Sequence, residues 1–197
     1  MQLILEKKHE NRIEFAATGI NASLANLIRR YVIARIPVLA IDKITVYENT
    51  SSFWDEYIAH RIGLMPIVTP EKLPKNTEII FTLDAEGPKV VYSGDLKCTD
   101  KEIKMAKENI PLITLAQNQR IKLEGSAVLG TATRHAKFQA GLLSYGIQDG
   151  KFEFFVESFF NMPPAELIER GCDEILNDLD KIEKAISTSP KKKKEKE

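Results

Sequence analysis

Six side chains near the C-terminus, Ile168, Cys172, Ile175, Leu179, Ile182 and Ile186, recur at alternating spacings of four and three. That period predicts a helix of about 22 residues carrying a heptad-like seam. Leu167 and Leu176 widen the seam until more than one face is apolar. A single thin sheet cannot cover such a helix, so its surplus surface asks for a partner chain. Pro163 and Pro164 suit the first turn, where their missing amides would be unpaired anyway. A second amphipathic helix lies near the other end, where Leu24, Leu27, Ile28, Tyr31 and Val32 recur three and four residues apart while Asn26, Arg29 and Arg30 point elsewhere. Asn21 or Ser23 can cap it, and Pro37 biases Ile36 out of the helical region, which ends the helix near Arg35.

Around these helices the chain reads as short strands. Residues 1–6 and 12–15 form a hairpin whose polar connection, residues 7–11, faces water, and residues 38–47 form a third strand. A shorter helix spans 54–61, announced by Asn49, Thr50, Ser51 and Ser52 and stopped by Gly63 and Pro66. The turn-rich stretch 67–125 brackets strands at 78–83, 89–93 and 120–127, with Gly87 and Pro88 as a hairpin turn and 101–109 as a surface loop or helical turn. A strand over 152–159 follows the hairpin dipeptide Asp149 and Gly150. The expected class is α+β: one domain built from both termini, with a β-rich module inserted between them. The tail after Ile186 holds no apolar residue but Pro190, and is expected to be disordered.

Charge and cysteine count narrow the function. Lys plus Arg and Asp plus Glu are 28 each, giving zero net charge, which argues against a dedicated nucleic-acid binder. No run approaches the ~20 apolar residues of a membrane span, and the apolar start is too short and too soon charged for a secretory signal. A soluble, cytoplasmic protein is expected. Two cysteines, Cys98 and Cys172, cannot alone supply the roughly four ligands of a zinc or iron-sulfur site. Neither a phosphate-loop motif nor a dinucleotide-binding glycine turn is present.

Few residues suggest chemistry. His60 lies one turn from Asp55 and Glu56, giving two potential metal ligands with no third or fourth in sight. Arg134, His135 and Lys137 beside Phe138 could touch a nucleic-acid backbone, or Phe138 could pack under a loop while the cations form ion pairs. Arg29 and Arg30 either reach a partner's carboxylates or cover the core edge with their methylene stems. Trp54, with Phe53 and Tyr57, is either core or an interface anchor.

Residues 21–67 combine the double-arginine helix, the Pro37 break, Ala40-Ile41-Asp42, Glu48-Asn49-Thr50-Ser51, and Asp55-Glu56 followed by Ala59-His60-Arg61-Ile62-Gly63-Leu64. This pattern closely resembles the archaeal RNA polymerase D (subunit 3) family, counterpart of the bacterial alpha N-terminal domain. Residues 130–140, GTATRHAKFQA, resemble the family's Gly-Thr-Gly-x-x-His-Ala-Lys-Trp-Gln-Pro element, with Ala132, Phe138 and Ala140 departing from it. Residues 152–175 resemble its Phe-x-Val-Glu-Ser strand and the helix after it.

The resemblance implies a discontinuous alpha-like dimerisation domain, residues 1–46 and 139–188, an insert domain over 47–138, and a charged tail over 189–197. It implies a non-catalytic assembly subunit of DNA-directed RNA polymerase, which is a nucleotidyltransferase only as the whole complex. The implied partners are subunit L (subunit 11) in a heterodimer, N (subunit 10), P (subunit 12) and the second-largest, beta-like subunit, with little direct nucleic-acid contact. Leu24, Leu27, Ile28, Tyr31 and the seam from Ile168 through Ile175, Leu179 and Ile182 to Ile186 would face L or the shared core. Arg29, Arg30, Asp55, Glu56, His60 and Arg61 would serve further partner contacts, chiefly to the beta-like subunit. Many members carry a third module with cysteines for iron-sulfur clusters; with only Cys98 and Cys172, no such module, cluster or metal is expected here. The rival readings are a β-rich nucleic-acid-binding module, a metal enzyme centred on His60, and a homodimer like that of the bacterial relative.

Overall fold

The computed structural model describes residues 1–74, 77–100 and 102–188, so the expectation for the 189–197 tail lies outside the described residues. Mixed helices and antiparallel sheets make up the described chain. Strands β1 (Gln2–Lys8) and β2 (Arg12–Thr18) form the expected hairpin, although Lys7 and Lys8 belong to the strand and not to the turn. Helix α1 (Ala22–Ala34) starts where Asn21 accepts a hydrogen bond from the Leu24 amide at 2.9 Å, and ends at Arg35 before Pro37. Strand β3 (Val38–Asn49) and helix α2 (Asp55–Gly63) follow. The middle of the chain supplies β4 (Glu78–Glu86), β5 (Lys89–Tyr92), β6 (Lys97–Cys98), β7 (Pro111–Leu115) and β8 (Arg120–Gly130). Strands β9 (Gly141–Gln148) and β10 (Lys151–Ser158) then lead into α3 (Pro164–Thr188). Asp149 and Gly150 join β9 to β10 with φ of 49° and 75°, the paired left-handed conformation that a tight hairpin demands.

Both ends of the chain build the first sheet, in the order β1-β2-β10-β9. Helices α1 and α3 pack on each other and on this sheet over a core that includes Ala25, Val32, Phe152, Phe154, Val156 and Leu167. The middle of the chain builds the second sheet, β3-β8-β4-β6, and the small β5-β7 pair. Its core includes Ile58, Ile62, Phe81, Leu115, Ile121 and Leu123.

One strand serves both cores. Val38 and Ala40 of β3 point into the first, and Leu39 and Ile41 into the second. A strand alternates its side chains between two faces, so a continuous apolar run is what a strand between two cores requires. Buried polar groups close the junction. Thr69 accepts from the Leu39 amide at 3.0 Å, its own amide donates to the Asn161 carbonyl at 2.9 Å, and the Asn161 side-chain amide donates to the Ile67 carbonyl at 3.0 Å. Each buried donor is thereby paired.

Two sequence expectations fail in this region. Gly87 and Pro88 are not a hairpin turn: β4 pairs with β8 and β6, and β5 pairs with β7, so the dipeptide carries the chain from one sheet to another. A Cβ on Gly87 would sit 2.1 Å from the Ala116 carbonyl oxygen, which accounts for the glycine by close backbone approach. The 101–109 segment is a loop without helix among its described residues, but it is no mere surface loop, because Ile103 and Met105 are buried in the second core.

Candidate functional site

Three surfaces gather most of the residues singled out in the sequence, and Arg29 and Arg30 lie apart from them. The first is the open side of the α1–α3 pair. Ala25 and Val32 of α1 are fully buried, Ile28 and Tyr31 are half-buried, and Leu24 and Leu27 remain exposed. The helices cross where Gly171 meets Val32. Two turns further along, the Asp178 carboxylate accepts from the Tyr31 hydroxyl at 3.0 Å, from Arg35 at 2.6 Å and from Lys181 at 2.7 Å. Hydrogen bonds from Lys181, Arg35 and Tyr31, in that order, hold its pKa down to about 2. The Asp178 carboxylate in turn raises the pKa of the Tyr31 hydroxyl.

Burial along α3 falls off from its start to its end. Leu167 and Gly171 are buried and Ile168, Cys172 and Ile175 half-buried, whereas Leu176, Leu179, Ile182 and Ile186 are 59%, 55%, 56% and 72% exposed. Beside the half-buried part lies an open apolar cavity of about 350 Å³, lined among others by Leu3, Leu5, Phe15, Ile28, Ile168 and Cys172. The sequence seam is therefore real as a stripe, and among the described residues only its first half is covered by the rest of the chain.

The second surface is α2. Trp54 is 82% exposed, which resolves its role against core packing, and Phe53 stacks on Tyr57 with ring centroids 5.0 Å apart. Asp55 is held by the Asn49 side-chain amide at 2.7 Å, while Glu56 and His60 are exposed. Among the described residues no group of three or more metal-capable side chains exists, so His60, Asp55 and Glu56 do not assemble a metal centre. Arg61 turns inward, donating to the Pro111 carbonyl and to the Tyr57 hydroxyl at 3.2 Å. That use ties α2 to β7.

On the far side of α1, Arg29 donates to Asn26 at 2.9 and 3.1 Å, and it shares an open depression with Arg30 and Thr133.

The third surface is the basic loop. Phe138 is fully buried, with its ring against Gly130, where a Cβ would lie 2.7 Å from it. Arg134 and Lys137 both donate to the Asp42 carboxylate at 2.6 Å, and Lys137 also donates to the Ile41 carbonyl at 3.2 Å. Each cation stands 5.3 Å from the Phe138 ring centroid. His135 accepts from the Lys137 amide through Nδ1 at 3.1 Å. The Lys137 ammonium, more than Arg134, holds the Asp42 carboxyl below its ordinary range against the opposing pull of burial. The loop is thus a clamp closing the shared strand, and the nucleic-acid alternative loses the two free cations and the open ring it required. Thr69, Asn161 and Asp178 were not singled out in the sequence, because single polar residues in loops or on a helix carry no periodic signal.

Neither cysteine is placed to act as a reactive thiol. Burial raises the pKa of both Cys98, on β6, and Cys172, on α3.

Residues 43–145 match the family described as RNA polymerase Rpb3/RpoA insert domain. Proteins named DNA-directed RNA polymerase subunit Rpo3 align along most of the chain. That of Pyrococcus furiosus is 41% identical over 150 residues, covering 72% of this chain and 57% of its own. That of Methanocaldococcus jannaschii is 43% identical over 156 residues, covering 79% and 80%. That of Halobacterium salinarum is 30% identical over 234 aligned positions, covering 91% and 94%. The chain thus spans little more than half of the first relative and most of the other two. The insert-domain match over the middle and the extended similarity to archaeal relatives together make this chain a member of the Rpo3 family of DNA-directed RNA polymerase subunits.

Proposed function

We propose that this chain is a non-catalytic assembly platform of archaeal DNA-directed RNA polymerase, with the transferase chemistry carried by other subunits of the complex. In this reading residues 1–46 and 139–188 form a discontinuous alpha-like dimerisation domain and 47–138 the insert. The dimerisation domain pairs with the L subunit (subunit 11). The platform then docks N (subunit 10), P (subunit 12) and the beta-like subunit, the last through Arg29, Arg30 and the Trp54 face of α2. It works in the cytoplasm without an iron-sulfur cluster or metal of its own and with little direct contact to nucleic acid. No helix among the described residues is long and apolar enough to cross a membrane.

The observation that carries the reading is the exposed half of α3. At about 1.5–3 kcal/mol for burying a full side chain, covering what Leu176, Leu179, Ile182 and Ile186 leave open would release about 4–7 kcal/mol. Leu3 and Leu5, exposed on the rim of the cavity, add about 2–4 kcal/mol as an upper figure. Association costs of at least about 4 kcal/mol must be met first. The stripe alone barely meets them, and the stripe with the cavity rim does so with surplus. The rim and the stripe are therefore expected to be covered together by one partner.

The test is co-expression with the L subunit. Leu179→Asp with Ile182→Asp places two charges on the open stripe, should leave the far-UV melting curve of the isolated chain unchanged, and should abolish co-elution. A double variant that retains the L subunit, or an isolated chain that sediments as a well-behaved monomer and ignores it, refutes the proposal.

A further inference from the structure

The open stripe of α3 has two unequal edges. At about 100° of rotation per residue, Gly171 and Asp178 lie on the edge facing α1, and there Asp178 is consumed by Tyr31, Arg35 and Lys181. The opposite edge, reached at spacings of four, three, four and three, is Glu169, Asp173, Leu176, Asp180 and Glu183. All five are exposed. Among the described residues, the ion pairs that involve α3 use Glu166, Arg170, Asp178 and Lys181, so all four outer carboxylates are unpaired. An apolar stripe bordered along its whole free edge by one sign of charge is half of a charge-matched helix pair, because residues bordering such a seam decide which partner and orientation are accepted.

We infer that the outer edge of α3 selects its partner: it takes an amphipathic helix of a different chain whose facing edge is basic, and it rejects a second copy of this chain. This inference rests on the proposed docking of the L subunit and adds the chemistry by which that subunit is told apart from self. Packing α3 against α3 of a copy in antiparallel fashion sets like edge against like edge, four carboxylates against four. Parallel side-by-side packing would bring the acidic edge to the opposite edge, but α1 already covers that side. Both symmetric solutions are closed to a homodimer, while a basic-edged helix gains at every turn.

Two variants and a control test the inference by sedimentation and by binding to purified L subunit. In 0.1 M salt the isolated chain should show no dimer held through α3. The neutral variant E169Q/D173N/D180N/E183Q should self-associate at least tenfold more tightly. The reversed variant E169K/D173K/D180K/E183K should bind the L subunit about tenfold more weakly, as expected for several exposed charge pairs lost together. Its deficit should shrink at 1 M salt, where screening acts within about 3 Å. Unchanged melting curves show that the variants fold. If the reversed variant binds L like the original chain while L179D/I182D does not, the edge plays no part in selection and this inference fails with the docking surface intact. If L179D/I182D still binds L, the docking reading falls and this inference falls with it.

Discussion

The crossing of α1 and α3 permits a prediction whose sign runs against helix propensity. Gly171 sits inside α3, where replacing glycine by alanine ordinarily stabilises by about 1 kcal/mol. A Cβ there, however, would stand 2.6 Å from Cγ2 of Val32, and 3.5 Å from the Val32 Cα and backbone nitrogen. Val32 is fully buried and, as a β-branched residue in a helix, has essentially one rotamer, so the methyl cannot swing aside. The helices must part instead, and the Asp178 cluster with Tyr31 and Arg35 resists that movement. Overpacking of this kind costs about 1–3 kcal/mol, which outweighs the propensity gain, so Gly171→Ala should destabilise by about 1–2 kcal/mol. Val32→Ala alone removes two methyl groups and leaves a cavity, costing about 2–3 kcal/mol. In the double variant the new Cβ enters the vacated space and the propensity gain returns. The coupling energy should therefore be about 2–3 kcal/mol in favour of the pair. Urea denaturation of the four proteins, followed by far-UV circular dichroism with m-values compared, measures all terms. A Gly171→Ala protein more stable than the original, or a coupling below about 0.5 kcal/mol, would show that the close approach does not govern the crossing.

Two further outcomes follow from the other surfaces. Asp42→Asn should cost about 2 kcal/mol, because it strips the charged partner from a largely buried Lys137. The Asp42 carboxyl has its folded pKa lowered below the unfolded value, so its stabilising contribution is complete above the unfolded pKa of about 4 and disappears as pH falls through the folded one. Chemical denaturation of the original and the variant at pH 6 and at successively lower pH should show the gap between them closing; a gap independent of pH refutes the clamp. Trp54→Ala should change the isolated chain's stability by less than about 0.5 kcal/mol, since the ring is exposed. It should nonetheless weaken recovery of the beta-like subunit in pull-downs, and a large loss of stability would place the ring in the core instead.

How much of this fold could be read from the chain depends on how far each signal is local. Asn21, Pro37 and the three-and-four spacing between them fix α1 almost to the residue, because caps, proline sterics and amphipathic period all act within a few residues. The Asp149-Gly150 turn is equally local, and it is found as expected. Strand partners are not local. Gly87 and Pro88 have hairpin composition, but what decides their use is that β8 pairs with β4 along its length, leaving β5 to find β7. Likewise β7 and β6 are too short to show alternation, and Ile103 and Met105 look like part of a polar loop until the second core is assembled around them.

The extent of the open surfaces is only partly legible, for a different reason. Leu167 and Leu176 belong to one helix, share one chemistry and both widen the same seam, yet one is fully buried and the other mostly open. They stand nine residues apart, about half a turn out of phase, so Leu167 shares the α1-facing edge with Gly171 while Leu176 falls on the opposite edge; which of the two edges is covered is decided only when α1 and the sheet are assembled against α3. The same holds in reverse for the basic loop. The sequence offers Arg134 and Lys137 either as a nucleic-acid contact or as ion-paired cations over a packed Phe138, and the second holds, but their common partner Asp42, more than ninety residues away in sequence, could not be named. Burial and ion pairing thus choose between readings that the sequence leaves side by side. A helix anchored by Gly171 and Asp178, whose stripe beyond them stays open among the described residues, is the surface that the proposed docking of a partner subunit would complete.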